Sequence, residues 1–296
     1  MAQLDFAETP AVPLNPLGMD GIEFIEFETT RPLVLGGLLE KLGFHAIARH
    51  RSREVLLYRQ GGMNLIVNGE PLIKPRRYAA HDSPALSAIA MRVADAGEAH
   101  RRVLSLGAWD MPTRAAAMEL NIPGIHGAAD STIHFVDRYR DFSIYAVDFV
   151  PLPGIDSDPP ALIDLHFFGV VQAVQSDRTA DWVDFYQSLF GFTVLPETRF
   201  PGILPKGTLL QSPCGSFFIQ LVEPPAGADF ISWHERLLHI GFGTSDVLAA
   251  TRALESRGLV FVDREPLVPS NRGALSQTYF GSVCFEIVVD APQAER

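Results

Sequence analysis

Apolar and polar residues alternate in GIEFIEF (21–27), the period-2 pattern of a half-buried strand. The stretch RPLVLGGLLEKLGFHAI (31–47) then recurs at helical spacing, and Gly43 supplies the stop. The same order returns later. HFFGVV (166–171) reads as a strand and TADWVDFYQSLFGFTVL (179–195) as a helix that stops at Gly191. The two Gly-Phe pairs lie 148 positions apart. VLLYRQGGMNLIVNGEP (55–71) and TLLQSPCGSFFIQLVEPP (208–225) each show two apolar runs around glycine, as hairpins do. SAIAMRVADAGEAHRRVLSLGA (87–108) and LLHIGFGTSDVLAATRALESRGL (237–259) each give a strand, an aspartate placed to cap a helix, the helix, and glycine. The strand pairs of 131–150 and 274–290 complete the repeat.

Strands outnumber helices and do not alternate with them strictly, which predicts α+β and not a doubly wound parallel sheet. The expected architecture is two tandem βαβββ-type modules whose curved mixed sheets surround a cavity. PLPGIDSDPP (151–160), with four prolines among acidic residues, has linker composition. The expected division is a loose arm at 1–16, an N-terminal module at 17–152 and a C-terminal module at 153–296.

Composition narrows the functional classes. The chain has 296 residues and a formal net charge of −11, which argues against a nucleic-acid or anionic-membrane partner. Its two cysteines, Cys214 and Cys284, show no zinc-ligand spacing and read as reduced thiols of a cytoplasmic protein. No basic-then-apolar leader and no membrane-length apolar run is visible, so a cytoplasmic location is expected.

A duplication provides an internal control: packing requirements should recur in both halves, whereas chemistry need not. Through the Asp95/Asp246 match, His239 aligns with Ala88. Glu286, inside the apolar run CFEIVV, aligns near Ile144, and His166 opens a strand whose counterpart has no histidine. A carboxylate in such a run is costly unless it is paired, protonated or bound to metal. Two histidines and one carboxylate on one face form the facial triad of non-haem Fe(II). The plainer alternative has both histidines bonding backbone and Glu286 facing solvent. Strand parity places Phe280, Ser282, Cys284 and Glu286 on one face, His239 with Gly241 and Gly243, and His166 with Phe168 and Val170. His50, His81, His100, His126, His134 and His234 show no ligand-like grouping. Arg199 and Arg272 are possible carboxylate partners, and Arg76-Arg77 reads as an exposed turn.

The segments GIEFIEF, HRSREVLLYRQGGMNLIVNGEP (50–71), AMELNIPGIHG (117–127), DFSIYAVDF (141–149), DFYQSLFGF (184–192), LLHIGFGTSD and FGSVCFEIV (280–288) resemble the 4-hydroxyphenylpyruvate dioxygenase family of the vicinal-oxygen-chelate superfamily. The resemblance runs from about residue 15 to 290. It implies Fe(II) held by His166, His239 and Glu286, and a catalytic second module beside a degenerate first one. It also implies O2-dependent conversion of an aromatic 2-oxo acid, 4-hydroxyphenylpyruvate, to homogentisate in tyrosine catabolism, and a homo-oligomer, dimer or tetramer. Gln211, Gln220, Phe280 and Gln277 are the expected substrate contacts. Four departures stand out. The family's Asp-His is Asp164-Leu165-His166 here, and an alignment that keeps His166 in register places Leu165 at the aspartate. The spacing of 47 positions from His239 to Glu286 is shorter than expected, with Gly273 near the family's glutamine. Val222 replaces a pocket asparagine, and the C-terminal lid helix is not found before Arg296. Two rivals use the same superfamily. An extradiol ring-cleaving dioxygenase wants a tyrosine where Ser276 stands, Tyr279 being out of register. A metal-vestigial protein that binds a small aromatic molecule is the other.

Overall fold

The computed structural model describes residues 14–70, 83–112, 115, 119–140, 142–196, 207–224, 233–265 and 267–290. Most of the 1–16 arm, Arg76, Arg77, His81, Arg199 and the chain end therefore lie outside the described residues.

The first half runs β1 (Ile22–Glu28), α1 (Pro32–Lys41), β2 (His45–His50), β3 (Val55–Gln60) and β4 (Met63–Asn68). It continues as β5 (Ala85–Arg92), α2 (Ala96–Ser105), β6 (Gly124–His126), β7 (Thr132–Val136), α3 (Ile144–Asp148) and β8 (Phe149–Pro151). In the second half a short 3-10 turn (Leu162–Asp164) leads into β9 (His166–Ala173), α4 (Thr179–Phe190), β10 (Thr193–Val194), β11 (Thr208–Gln211) and β12 (Phe218–Val222). The chain then forms β13 (Arg236–Thr244), α5 (Val247–Ser256), β14 (Gly273–Leu275) and β15 (Phe285–Val289).

The result is α+β with two mixed sheets, ordered β6-β7-β5-β1-β4-β3-β2-β8 and β10-β11-β12-β9-β13-β15-β14. Each sheet is two β-α-β units joined along an antiparallel seam, β1 against β5 and β9 against β13. On either side of the seam the next strand is parallel, β4 and β7 in one sheet, β12 and β15 in the other. The duplication therefore runs one level deeper than two modules.

Local chemistry sets the element ends. Asp95 accepts from the Glu98 N–H at 2.7 Å and Asp246 from the Ala249 N–H at 2.9 Å, so both predicted caps form. Gly43 and Gly191 take left-handed backbone at φ +96° and +78°, where a side chain would be strained. One apolar core spans both halves. At its centre the Phe242 ring lies 5.9 Å from Phe44, 6.1 Å from Phe167 and 5.9 Å from Phe285. Gln60, fully buried, adds a polar tie: its amide donates to the Leu42 carbonyl and its Oε1 accepts from the Leu162 N–H.

Two sequence expectations are corrected here. Phe280 and Ser282 do not continue the Glu286 strand. Phe280 and Gly281 have φ +52° and +76° and form a turn, closed by paired bonds between Tyr279 and Val283, so β15 begins only at Phe285. Nor is Ile144 the counterpart of Glu286, because Ile144 starts a helix. The strand matching β15 is β7: Glu286 pairs with Gly241 and His134 with Ala90, while the Asp95/Asp246 caps align Gly241 with Ala90. The first-half counterpart of Glu286 is His134.

Candidate metal centre

Residues opposite one another in a ladder share a face, and three successive rows build the site. His239 lies across from Val171, which in turn pairs with Gln220. Gly241 lies between Gly169 and Glu286. Gly243 lies across from His166. The alternating residues Ile240, Phe242, Phe285, Ile287 and Val170 all enter the apolar core. His239, Gly241, Gly243, Glu286 and His166 are thereby turned to the opposite face.

His239 and Glu286 are 7% and 3% exposed. Their nearest atoms, Nε2 and Oε2, are 3.9 Å apart, beyond hydrogen-bond reach. The buried His239 Nε2 has no hydrogen-bond partner among the described residues. Burial alone would lower the His239 pKa; the Cys284 thiol and the Glu286 carboxylate outweigh it and push the imidazole up to about 9. An unpartnered imidazole nitrogen facing a buried carboxylate fits two donors to one divalent cation, which must displace the imidazole proton to bind.

His166 reaches the same face but not the same point. Leu165 and Phe167 enter the core, so the register that keeps His166 on the cavity side is the one adopted. Its ring lies over Gly243: a Cβ there would come within 2.4 Å of Nε2. His166 Nδ1 lies 3.1 Å from the Asp164 carbonyl and Nε2 lies 3.3 Å from Asp290 Oδ2. Burial opposes protonation of His166, but Asp290 and the Asp164 carbonyl raise its pKa. Among the described residues no three His, Cys, Asp or Glu side chains converge as a metal cluster. His239 and Glu286 thus fit a metal once the imidazole proton is displaced, whereas His166 is held by Asp290.

Asp164 has a structural task. It accepts from the Thr244 hydroxyl at 2.8 Å and the Ser245 hydroxyl at 2.6 Å, tying the start of β9 to the end of β13. These bonds hold its pKa low despite partial burial.

The expected substrate contacts separate into two groups. Gln220 shares the His239 row, and Gln211, opposite Phe218, lies on the same side of the sheet. Phe218 stacks on Phe168 at 4.7 Å, forming an aromatic wall there. Gln277 is exposed, and neither it nor Phe280 lines the cavity of about 440 Å3 beside His239. That cavity has His239 and Cys284 in its wall and takes Ser83 to Leu86 from the first half. Arg272 is exposed. Asp290 was missed by sequence reasoning, since nothing in its local pattern marks a partner 124 positions away.

The first half has no metal-type pair at the corresponding rows. Ala88 replaces His239 and the His134 ring replaces Glu286. Desolvation lowers the His134 pKa to about 4, so this histidine is neutral in the folded chain above that pH. The unfolded chain takes up its proton near pH 6.5, so the associated stability is complete above that pH and is lost as pH falls toward 4. The loss is at most on the order of 3 kcal/mol. Urea unfolding of wild type and His134→Gln at pH 7 and pH 4.5 measures it, and the variant is expected to show the flatter pH dependence.

Sheets of β-α-β units around such a face define the glyoxalase/dioxygenase class. A family profile for that superfamily, "Glyoxalase/Bleomycin resistance protein/Dioxygenase superfamily", matches residues 167–276. Residues 14–150 match the profile "Hydroxyphenylpyruvate dioxygenase, HPPD, N-terminal". The chain is 34% identical over 264 residues to 4-hydroxyphenylpyruvate dioxygenase of Pseudomonas sp. (strain P.J. 874), covering 85% of this chain and 73% of that one. It therefore belongs to the 4-hydroxyphenylpyruvate dioxygenase family. It is also 33% identical to a 3-dehydroshikimate dehydratase of Pseudomonas aeruginosa, covering 82% of this chain but only 40% of that protein. In fold it matches a solved xylose isomerase-like TIM barrel/4-hydroxyphenylpyruvate dioxygenase fusion protein with TM-score 0.72 at 22% identity, over all of this chain and 52% of that one. The chain thus spans about half of the fusion protein. Among the described residues no helix is long and apolar enough to cross a membrane.

Proposed function

We propose that the chain is an Fe(II)-dependent dioxygenase that oxidises an aromatic 2-oxo acid, with 4-hydroxyphenylpyruvate to homogentisate as the first candidate reaction. Residues 17–152 act as the structural module and 153–296 as the metal module. The observation that carries the reading is the buried His239 Nε2, unpartnered and facing Glu286, in a chain of this family. His239 and Glu286 hold the metal from adjacent rows, and His166 completes the set when it exchanges Asp290 for the metal. Bound Fe(II) supplies the activation of O2 and a Lewis-acid site for the 2-oxo carboxylate.

The protein's own part is positioning. Gly241 and Gly169, in the Glu286 row, add no side chains of their own to the floor, and Gly241 lets the Phe168 ring pack close over the strand. Phe168 and Phe218 offer a flat apolar wall to an aromatic ring, and Gln220 and Gln211 offer amides to its polar substituents. Cytoplasmic location and a dimer or tetramer belong to the same reading; light scattering on the purified chain measures the latter. The test of function is oxygen uptake with 4-hydroxyphenylpyruvate on Fe(II)-loaded protein, with homogentisate identified by chromatography. Uptake with a different product discards homogentisate as the outcome and keeps both the metal and the substrate; no uptake discards the substrate.

Asp290 competes with the metal for His166 in this reading. Asp290→Asn is expected to tighten Fe(II) binding by roughly tenfold, the scale of changes made next to metal ligands. A competition titration against a chromophoric chelator reads it. Weaker binding in Asp290→Asn shows instead that Asp290 supports the ligand.

A further inference from the structure

The first half contains a cavity of about 250 Å3 that the proposed oxidation does not use. Its floor is the cup face of the first sheet, where Glu26 and His134 project. Glu26 accepts from the Asn68 amide at 2.9 Å. Asp148, 8% exposed, lies in the wall and receives the Leu120 N–H at 3.2 Å. Arg53 also borders the cavity, but its guanidinium is engaged by Glu119, with Nε donating to Oε1 at 3.0 Å. Phe24, Tyr145 and Phe149 give the remainder an aromatic lining, with Tyr145 and Phe149 edge to face at 5.7 Å.

Charge selects among ligands for this space. The described wall carries three carboxyl groups, Glu26, Glu119 and Asp148, against one guanidinium that Glu119 already balances. Desolvation lowers the pKa of both lining histidines, His50 and His134, so neither adds positive charge at neutral pH. The buried His134 Nδ1 lacks a hydrogen-bond partner among the described residues. Among the described residues, an anion entering here finds Arg53 already held by Glu119 and meets two further carboxyl groups. An ammonium group gains hydrogen bonds to both, burial raising the Glu26 pKa so that its charge is favoured only once a cation is beside it. The aromatic lining suits an attached ring, the Tyr145 ring already lying under Arg59.

From Glu26 and Asp148 lining one cavity together with an aromatic wall, we infer that the N-terminal half binds a small arylalkylamine at a site separate from the His239 face. The site chooses the opposite charge from the aromatic acid proposed for the second half, so the two do not compete. This inference does not depend on iron at His239 or on the proposed oxidation.

Titration calorimetry on the full chain tests it, with tyramine as the amine probe and 4-hydroxyphenylacetate as its near-isosteric acid. Tyramine is expected to bind once per chain with Kd below about 1 mM, and at least about tenfold more tightly than the acid. Glu26→Gln, which keeps the shape of the side chain, is expected to weaken tyramine by about tenfold, and His239→Ala to leave it unchanged. Val55→Phe fills the cavity without altering its charge and is expected to abolish binding; it decides the matter should Glu26→Gln lose its native circular dichroism. The inference is overturned by no tyramine binding up to about 10 mM. Equal binding of the acid, or a tyramine affinity unaffected by the cavity variants, overturns it too.

Discussion

His239→Ala is expected to lower Fe(II) affinity by at least about 100-fold and to reduce oxygen uptake to background, while the fold survives. The size follows from the site. His239 and Glu286 are donors that already face each other at 3.9 Å, and among the described residues the His239 Nε2 has no hydrogen-bond partner whose loss would disturb the sheet. Removing it leaves Glu286 buried without its facing imidazole, so part of the effect falls on the remaining donor. Chelator competition gives the affinity and an oxygen electrode the rate; native circular dichroism certifies the fold. His166→Ala is the informative comparison, because His166 must leave Asp290 before it can contribute. Its effect on metal affinity is expected to be the smaller of the two.

The largest effect on stability is expected at Phe242. Its side chain is 1% exposed and touches rings from α1's C-terminal turn, β9 and β15, so it links the two halves across one core. Phe242→Ala removes the ring and leaves a cavity that three facing aromatics, each fixed by its own strand or turn, cannot readily fill. The cost is about 3–5 kcal/mol. Urea unfolding reads it, and a single transition that moves as a whole is expected, because both sheets lean on the same ring. Two separated transitions would show that the halves unfold independently. Phe242 adjoins Gly241 and Gly243 in β13, so the same variant is also expected to loosen the floor of the metal face.

Much of this was legible in sequence where local chemistry decides structure. The caps at Asp95 and Asp246 and the glycine stops at Gly43 and Gly191 are set by backbone requirements within a few residues. The alternation of His239, Gly241 and Gly243 fixes their common face because the strand there is long and regular. Parity failed for Phe280 and Ser282, since it presumes a continuous strand and the chain turns at Phe280-Gly281; Gly281 was the available signal. The alignment of Glu286 with Ile144 failed because α3 and β8 follow β7 in the first half and displace the apparent match. Only the ladder registers identify His134 as the true counterpart.

The His166–Asp290 contact and the first-half cavity were not legible for a different reason. Each joins side chains distant along the chain, and each residue is unremarkable in its own segment. Glu26 sits in an alternating strand where a polar residue reads as solvent-facing, yet Asn68 and the cavity receive it. His50 and His134 come from opposite wings of the same sheet and border one cavity only because the sheet curves.

The central claim is that the face bearing His239 and Glu286 holds iron and uses it. The most direct measurement is the metal content of protein prepared anaerobically with Fe(II), together with oxygen uptake on adding 4-hydroxyphenylpyruvate. One iron per chain and uptake coupled to product are expected, both lost in His239→Ala. A chain that retains no iron after reconstitution would contradict it, and would leave a binding protein built on a dioxygenase fold.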